Sequence, residues 1–438
     1  MLNPPISREI SRRAWAIFWI GSAGFVLSMF YRLSITVISP ELTRDLNLST
    51  VQLSQLSAAF FYAFALSQIP IGLALDSIGP RAVVIILNVA GLAGAVFFAS
   101  AQTAGQAYWG RFLIGIGMSG NLMGMLTLLA AWFPAHRFAT IGGFFVGIGS
   151  AGSMLAATPL ALLARAFGWR GSFLLIALVN ALQVLAFLVF VRNRPPEREG
   201  STTSRANPFK GLWLVLKFPS YWWISIGAFF RYGCLTALQG LWAGPYLING
   251  LGFSTLEAGN ALFFMGLSYM VGLPLSGRFS DRIVRTRKWV IVPSLFITAL
   301  LFLSLMFWPR GAPAWGLYLV FFALGFFTAP GQIMYSHIKE LVPPQVMSTA
   351  MTGINLFTML GPAFIMQAMG LVVAAGPEGL SSPEGFAPAW VLCAAGLSLS
   401  GFLYLLVPDS TLSKKGRLLQ GVKNIAGGQK NDEYPTNL

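Results

Sequence analysis

Apolar residues dominate this chain in runs of about 20, each long enough to cross roughly 30 Å of hydrocarbon as a helix. Short polar or basic stretches separate them. The pattern predicts twelve spans, near 14–39, 51–73, 82–101, 107–132, 139–163, 172–191, 219–246, 256–276, 289–308, 314–336, 347–375 and 388–408, numbered 1 to 12 in chain order. The longest internal hydrophilic stretch, 192–218, holds Pro195, Pro196 and a Glu-Gly-Ser-Thr-Thr-Ser run. Such a segment reads as a flexible cytoplasmic linker between two halves of six spans. The predicted organisation is an all-α membrane protein of 12 transmembrane helices in two bundles. Its parts are a cytoplasmic N-terminus (1–13), a first six-helix bundle (14–191), the linker, a second bundle (219–408) and a disordered cytoplasmic tail (409–438).

Composition agrees with the pattern. The 438 residues are 55% hydrophobic and 10% charged, with a mean hydropathy of +0.69, against about 25% charged in soluble domains. A net charge of +15 could suggest nucleic acid, but the charge sorts by side of the membrane. With the N-terminus inside, 22 of the 29 basic residues fall in connections on the cytoplasmic side, and only Arg44, Arg165, Arg170 and Arg310 face out. The excess of basic residues in cytoplasmic loops places both termini in the cytoplasm of a bacterial-type inner membrane. No removable leader is expected ahead of span 1. Trp15, Trp19, Trp222, Trp223, Trp289, Trp308 and Trp315 sit near span ends, as interfacial anchors do. Cys234 and Cys393 lie in apolar runs and show neither metal spacing nor a disulfide framework. His136 and His337 fall at span ends and are expected to be interfacial, with proton handling as the alternative.

The remaining three basic residues, Arg32, Arg111 and Arg231, lie inside otherwise uncharged spans. A charge deep in a bilayer costs about 2.5–3.5 kcal/mol on insertion scales and marks a functional candidate by default. Since no Asp or Glu accompanies them, something negative is expected to meet them.

Shifted by 205 residues, the two halves share punctuation: Pro40 falls on Pro245, Ser49-Thr50 on Ser254-Thr255, Gly72 on Gly277 and Asp76 on Asp281. Parallel repeats of this kind place a substrate site between the halves, near mid-bilayer. The inner loop Gly72-Leu-Ala-Leu-Asp76-Ser-Ile-Gly79-Pro80-Arg81 and its second copy, Gly277-Arg-Phe-Ser-Asp281-Arg282, resemble the Gly-x-x-x-Asp loops of the major facilitator superfamily. Arg111-x-x-x-Gly115-x-Gly117 in span 4 and Gly143, Gly147, Gly149, Gly152 and Pro159 around span 5 are similar to further patterns of that family. Pro80 departs from the pattern, standing where a basic residue is usual. The resemblance covers about residues 14–408 and implies a secondary transporter working by alternating access, monomeric, with lipid around it and H+ or Na+ as coupling ion. Gly72, Asp76, Arg81, Gly277, Asp281 and Arg282 would form inner gates, since a carboxylate there can cap a facing helix or pair with basic side chains. Arg111, Gly115, Gly147 and Gly152 would be structural, with Arg111 bonding to span 1 or assisting proton movement.

Ser28, Arg32, Thr36 and Ser39 recur at i, i+4, i+8 and i+11, giving span 1 one polar stripe. Arg32 lies about 12 Å along the helix from Pro40. Tyr31-Arg32 through Pro40 also resembles the start of the family's anion:cation symporter branch, where an arginine at this spacing binds a carboxylate or phosphate. Arg231 starts a second stripe with Gln239 and Trp242, and its Arg-Tyr-Gly text resembles span 7 of organophosphate transporters. By the repeat, however, Arg32 corresponds to Ala237, so Arg231 either meets the ligand and gate or bonds backbone carbonyls. Polar candidates on the other helices are Tyr62 and Gln68 in span 2, Asn121 in span 4, Asn260 in span 8, Gln332 and Tyr335 in span 10, and Asn355 and Thr358 in span 11. The expected substrate-binding set is Arg32, Tyr31, Tyr62, Asn121, Arg231, Gln239, Trp242, Gln332, Tyr335 and Asn355.

These expectations add up to a carrier of a small organic anion, a carboxylate or phosphorylated compound, by uptake, symport or exchange. An exporter of neutral or anionic drug-like compounds and a transporter-like sensor without flux are the alternatives. An enzyme is not expected, nor a cofactor, metal or nucleic-acid partner: the chain has no Ser-His-Asp set, metal cluster or phosphate loop.

Overall fold

The computed structural model describes residues 8–133, 135–193, 215–311, 313–342, 347–376, 380 and 382–409. The expected linker and tail fall almost wholly outside them. Among the described residues, nine helices are long and apolar enough to cross a membrane. The other three predicted spans, 2, 5 and 7, are occupied by helical runs starting at Thr50, Ala135 and Pro219.

Span 1 is helical over Arg8–Leu33, is interrupted at Ser34, and resumes over Ile35–Leu46. It therefore runs through Pro40, where the shared proline suggested an end. Proline lacks the N–H that would bond the carbonyl four residues back, and that carbonyl, on Thr36, instead accepts from the Ser39 hydroxyl at 2.7 Å. Span 7 likewise passes Pro245: regular helix over Pro219–Ala237 gives way to wide π-type turns at Leu238–Trp242 and Tyr246–Gly250. The other shared punctuation has a common physical use. Ser49 with Gln52, and Ser254 with Glu257, form capping boxes that start span 2 (Thr50–Ser77) and span 8 (Thr255–Arg278).

Span 4 comprises Ala104–Met118 and Asn121–Trp132. The run Thr158–Phe190 covers the end of span 5 and span 6, two helices that meet at a sharp turn at Gly168, whose φ of 66° favours glycine. Span 10 has a tightened stretch, Ala329–Ile333, between Ala314–Thr328 and Met334–Leu341. Spans 9, 11 and 12 are Lys288–Ser304, Met347–Ala374 and Ala387–Tyr404. Trp15, Trp19, Trp222, Trp289 and Trp315 are exposed at span ends, as membrane anchors should be.

Among the described residues, the main joints between the halves pair span 1 with 7, 2 with 11 and 5 with 8. Toward the outer side the joints are close. A Cβ on Gly244 would run into the Thr36 carbonyl, and one on Gly370 into Ser54. Thr158 Oγ1 donates to Asn260 Oδ1 at 2.9 Å. Toward the inner side, Gly72 and Gly277 have open space where a Cβ would be. Among the described residues, the polar ties of the inner loops stay within one half. The outer seam is close-packed.

Candidate functional site

The break after Leu33 puts Arg32 at the joint of span 1, and the residue lies in the seam between the halves. It is only 4% exposed. Its Nη1 donates to the Tyr232 hydroxyl of span 7 at 2.6 Å, and its guanidinium carbon stands 4.9 Å from the centre of the Phe64 ring of span 2. The Nε is buried without a hydrogen-bond partner. A cation over an aromatic face gains about 0.5–2 kcal/mol, and a phenol supplies a neutral acceptor, but neither cancels the charge. One turn outward, Thr36 Oγ1 donates to the Gln239 carbonyl of span 7 at 2.5 Å.

A second polar group bridges the halves nearer the inner end. The Tyr335 hydroxyl lies 3.1 Å from both Asn355 Oδ1 and Thr358 Oγ1. Asn355 Nδ2 reaches Gln68 Oε1 at 3.4 Å, and Gln68 Nε2 lies 3.4 Å from the Ser119 carbonyl. Tyr62 donates to Gln367 Oε1 at 2.9 Å across the same seam. Tyr62, Gln68, Tyr335, Asn355 and Thr358, expected from separate helices, therefore share the boundary between spans 2, 10 and 11. Gln239 is half-buried and Gln332 is exposed.

The other two arginines turn inward into their own bundles. Arg111, fully buried, donates to the Tyr31 carbonyl at 2.6 Å and lies over the Phe60 ring. Arg231, 2% exposed, donates to the Thr328 carbonyl at 3.2 Å, where span 10 tightens. Gly331 makes room for it, since a Cβ there would strike the Arg231 side chain. Tyr31 packs on Phe30 and Phe173 with its ring fully buried in the first bundle. Asn121 pairs with Asn88 of span 3. Trp242 is buried too, its Nε1 donating to the Met366 carbonyl at 3.1 Å. Asn121 and Trp242 are hydrogen-bonded within their own halves, and Tyr31 is packed within the first bundle. The stripe on span 1 divides in the same way. Ser28 bonds the Met118 carbonyl of its own half, whereas Arg32 and Thr36 reach span 7.

Among the glycines, Gly115 and Gly152 permit close helix approach, to the Phe60 and Val26 carbonyls, whereas Gly147 faces open space. At the inner loops, Arg81 bonds Asn193 Oδ1 through its N–H and the Leu188 carbonyl through Nη2, both at 2.8 Å, tying the first loop to the end of span 6. The Asp76 and His136 side chains lie outside the described residues. In the second loop, Arg287 joins Asp281 to Glu340, the latter through Nη2 at 3.0 Å. Burial works against the Arg287 charge, but the hydrogen bonds it donates to Glu340 and Asp281 outweigh it and raise the guanidinium pKa. Arg282 is exposed. His337, near the inner end of span 10, is buried between Tyr404 (2.8 Å) and the Pro408 carbonyl (3.1 Å). At the outer face, Asp45 Oδ2 accepts from Trp169 Nε1 at 3.0 Å and pairs with Arg170 at 2.8 Å.

The family model of the Major Facilitator Superfamily matches residues 20–366 and 226–423. The chain belongs to the major facilitator superfamily. It is a multi-pass membrane transporter, not an enzyme. Over 310 residues it is 24% identical to a probable galactarate/D-glucarate transporter, GudP, of Bacillus subtilis (strain 168), covering 64% of this chain and 67% of that one. A galacturonate transporter of Dickeya chrysanthemi is 24% identical over 314 residues, 65% of this chain and 88% of that one. Among solved structures, a bacterial homologue of the human lysosomal transporter Spinster superposes with a TM-score of 0.74 at 17% identity, over 92% of this chain and 97% of that one. That likeness bears on the fold.

Tyr232, Phe64, Gln367 and Arg287 were missing from the expected sites. Tyr232 stood inside the Arg-Tyr-Gly text already singled out. Adjacent residues on a helix point about 100° apart, and only the packing of span 7 shows that Tyr232, not Arg231, faces the seam.

Proposed function

We propose that this transporter carries small organic acid anions, with Arg32 as the contact for the carboxylate. The observation that carries the reading is the Arg32 guanidinium in the seam, held by a neutral phenol and an aromatic face with Nε unpartnered. Charge-assisted hydrogen bonds are roughly twice as strong as neutral ones, so a carboxylate is a better partner than Tyr232. The flat, forked guanidinium also suits two carboxylate oxygens. The relatives named for galactarate, D-glucarate and galacturonate support the same substrate class. Tyr62, Gln367 and the Tyr335–Asn355–Gln68 group provide hydroxyl and amide partners for a polyhydroxylated acid along the same seam.

The placement of the contacts supports alternating access. The outer joints between spans 1 and 7 and between 5 and 8 open as the inner ends close, and the inner loops around Asp76 and Asp281 engage. Uptake across the inner membrane is the direction proposed. The test is transport of radiolabelled galacturonate and glucarate into proteoliposomes by the wild type and by Arg32→Ala. The substitution should lower the rate by about a hundredfold or more, as expected when a charged contact worth about 3 kcal/mol is lost. Undiminished flux of both acids in the variant sinks the reading.

A further inference from the structure

The three arginines inside the apolar spans have, among the described residues, neutral oxygens as hydrogen-bond partners: the Tyr232 hydroxyl, the Tyr31 carbonyl and the Thr328 carbonyl. The ion pairs lie at the rims, with Asp45–Arg170 outside and Asp281–Arg287–Glu340 inside. On span 1, the next carboxylate after Arg32 is Glu41, about 14 Å further along the helix. An arginine stays protonated in proteins, so Arg32 cannot discharge itself between the two access states. Nor does the sequence place a carboxylate deep within the spans around it, Glu41 and Glu257 standing at the outer ends of spans 1 and 8.

When both sides of a carrier are closed, water is excluded from the seam, and an uncompensated charge there is costly. Empty, this seam holds a cation among Phe64, Tyr232 and the helix backbones. Loaded with a monocarboxylate, the same seam is neutral. A ligand shifts a conformational equilibrium by its differential interaction with the two states, and neutralising Arg32 favours the closed, reorienting form over the open one.

We propose that the protein is an obligatory anion exchanger. It reorients with an organic anion on Arg32 and stays facing one side when empty, so entry of one anion is tied to exit of another. The exchanged partner is a second small organic anion of like charge, and the cycle moves no net charge. This rests on Arg32 being the anion contact.

The experiment uses the purified full chain in proteoliposomes with labelled galacturonate outside. One set is loaded with unlabelled galacturonate, the other with an equal osmotic strength of galactose, in the same buffer at equal pH. Initial uptake should be at least about tenfold faster into galacturonate-loaded vesicles, the ratio that a modest difference in reorientation barrier gives. It should not respond to a protonophore, to an inward proton or sodium gradient, or to a valinomycin-set potassium potential. Equal rates in both sets, or uptake into galactose-loaded vesicles driven by either gradient, overturn exchange while leaving Arg32 as the anion contact. Absence of both uptake and galacturonate binding overturns the anion reading, and the exchange proposal with it.

Discussion

The Arg32 Nη1 of span 1 and the Tyr232 hydroxyl of span 7 are 2.6 Å apart, a single hydrogen bond that ties the two halves together at the point where the substrate's charge is expected. Tyr232 is therefore the ligand's competitor for Arg32. Tyr232→Phe removes the competing acceptor and little else. Galacturonate should bind the variant about three- to tenfold more tightly, in line with the net worth of one hydrogen bond. Isothermal titration checks it, and a loss of affinity would show the hydroxyl serving the ligand directly.

Arg111 points the other way. Its bond to the Tyr31 carbonyl holds span 4 against span 1 within the first bundle. Arg111→Gln should lower stability by about 2–3 kcal/mol, the cost of leaving a buried acceptor poorly served, seen as a lower midpoint of thermal unfolding in detergent. Galacturonate affinity of the protein that remains folded should change by less than about twofold, well under the 1.4 kcal/mol that a tenfold change represents. A large loss of affinity without a loss of stability contradicts this division of labour between the arginines.

Gly244 lets spans 1 and 7 touch at the outer seam, where a Cβ would collide with the Thr36 carbonyl. That neighbour is backbone and cannot swing aside. Gly244→Val should prise the outer joint open at a cost of about 1–3 kcal/mol and slow transport. Cysteines placed near Thr36 should react faster with an impermeant thiol reagent added from outside. Unchanged labelling is the contrary result.

Asp45 is held below its ordinary pKa, first by the Trp169 hydrogen bond and then by Arg170 and Arg44, with partial burial opposing them. A carboxylate with a depressed folded pKa adds stability above its unfolded pKa and loses it as pH falls through the folded value. The difference in thermal midpoint between wild type and Asp45→Asn should therefore be full at pH 7. It should shrink as the pH drops through and below 3.8, the ordinary value for this carboxyl. A gap that persists undiminished in acid assigns the effect to geometry rather than charge.

Span existence, the two halves and the family were legible because they depend on runs of 20 apolar residues and on punctuation repeated at one offset. Span ends were less so. Pro40 and Pro245 read as stops, yet helix continues through both because Ser39 and the wide turns of span 7 absorb the missing N–H. Arg32 stood out as a charge in an apolar span. Its partner did not, since choosing between Arg231 and Tyr232 needs the rotation of span 7, which tertiary packing sets. Tyr31 entered the candidate site as the neighbour of Arg32, Trp242 from the Arg231 stripe, and Asn121 as a polar residue of span 4. Polarity marks a need for a hydrogen bond but does not say whether a ligand or a neighbouring helix fills it.

The interruption at Ser34 divides span 1 between two allegiances. Below it, Ser28 and Tyr31 belong to the first bundle; beyond it, Thr36 is clasped to span 7. Arg32 stands at the division. If the halves rock about this point, as the proposed alternating access requires, the side chain moves least there and offers nearly the same grip from either side of the membrane. On the exchange proposed above, the direction of net flow would then follow the concentrations on the two sides.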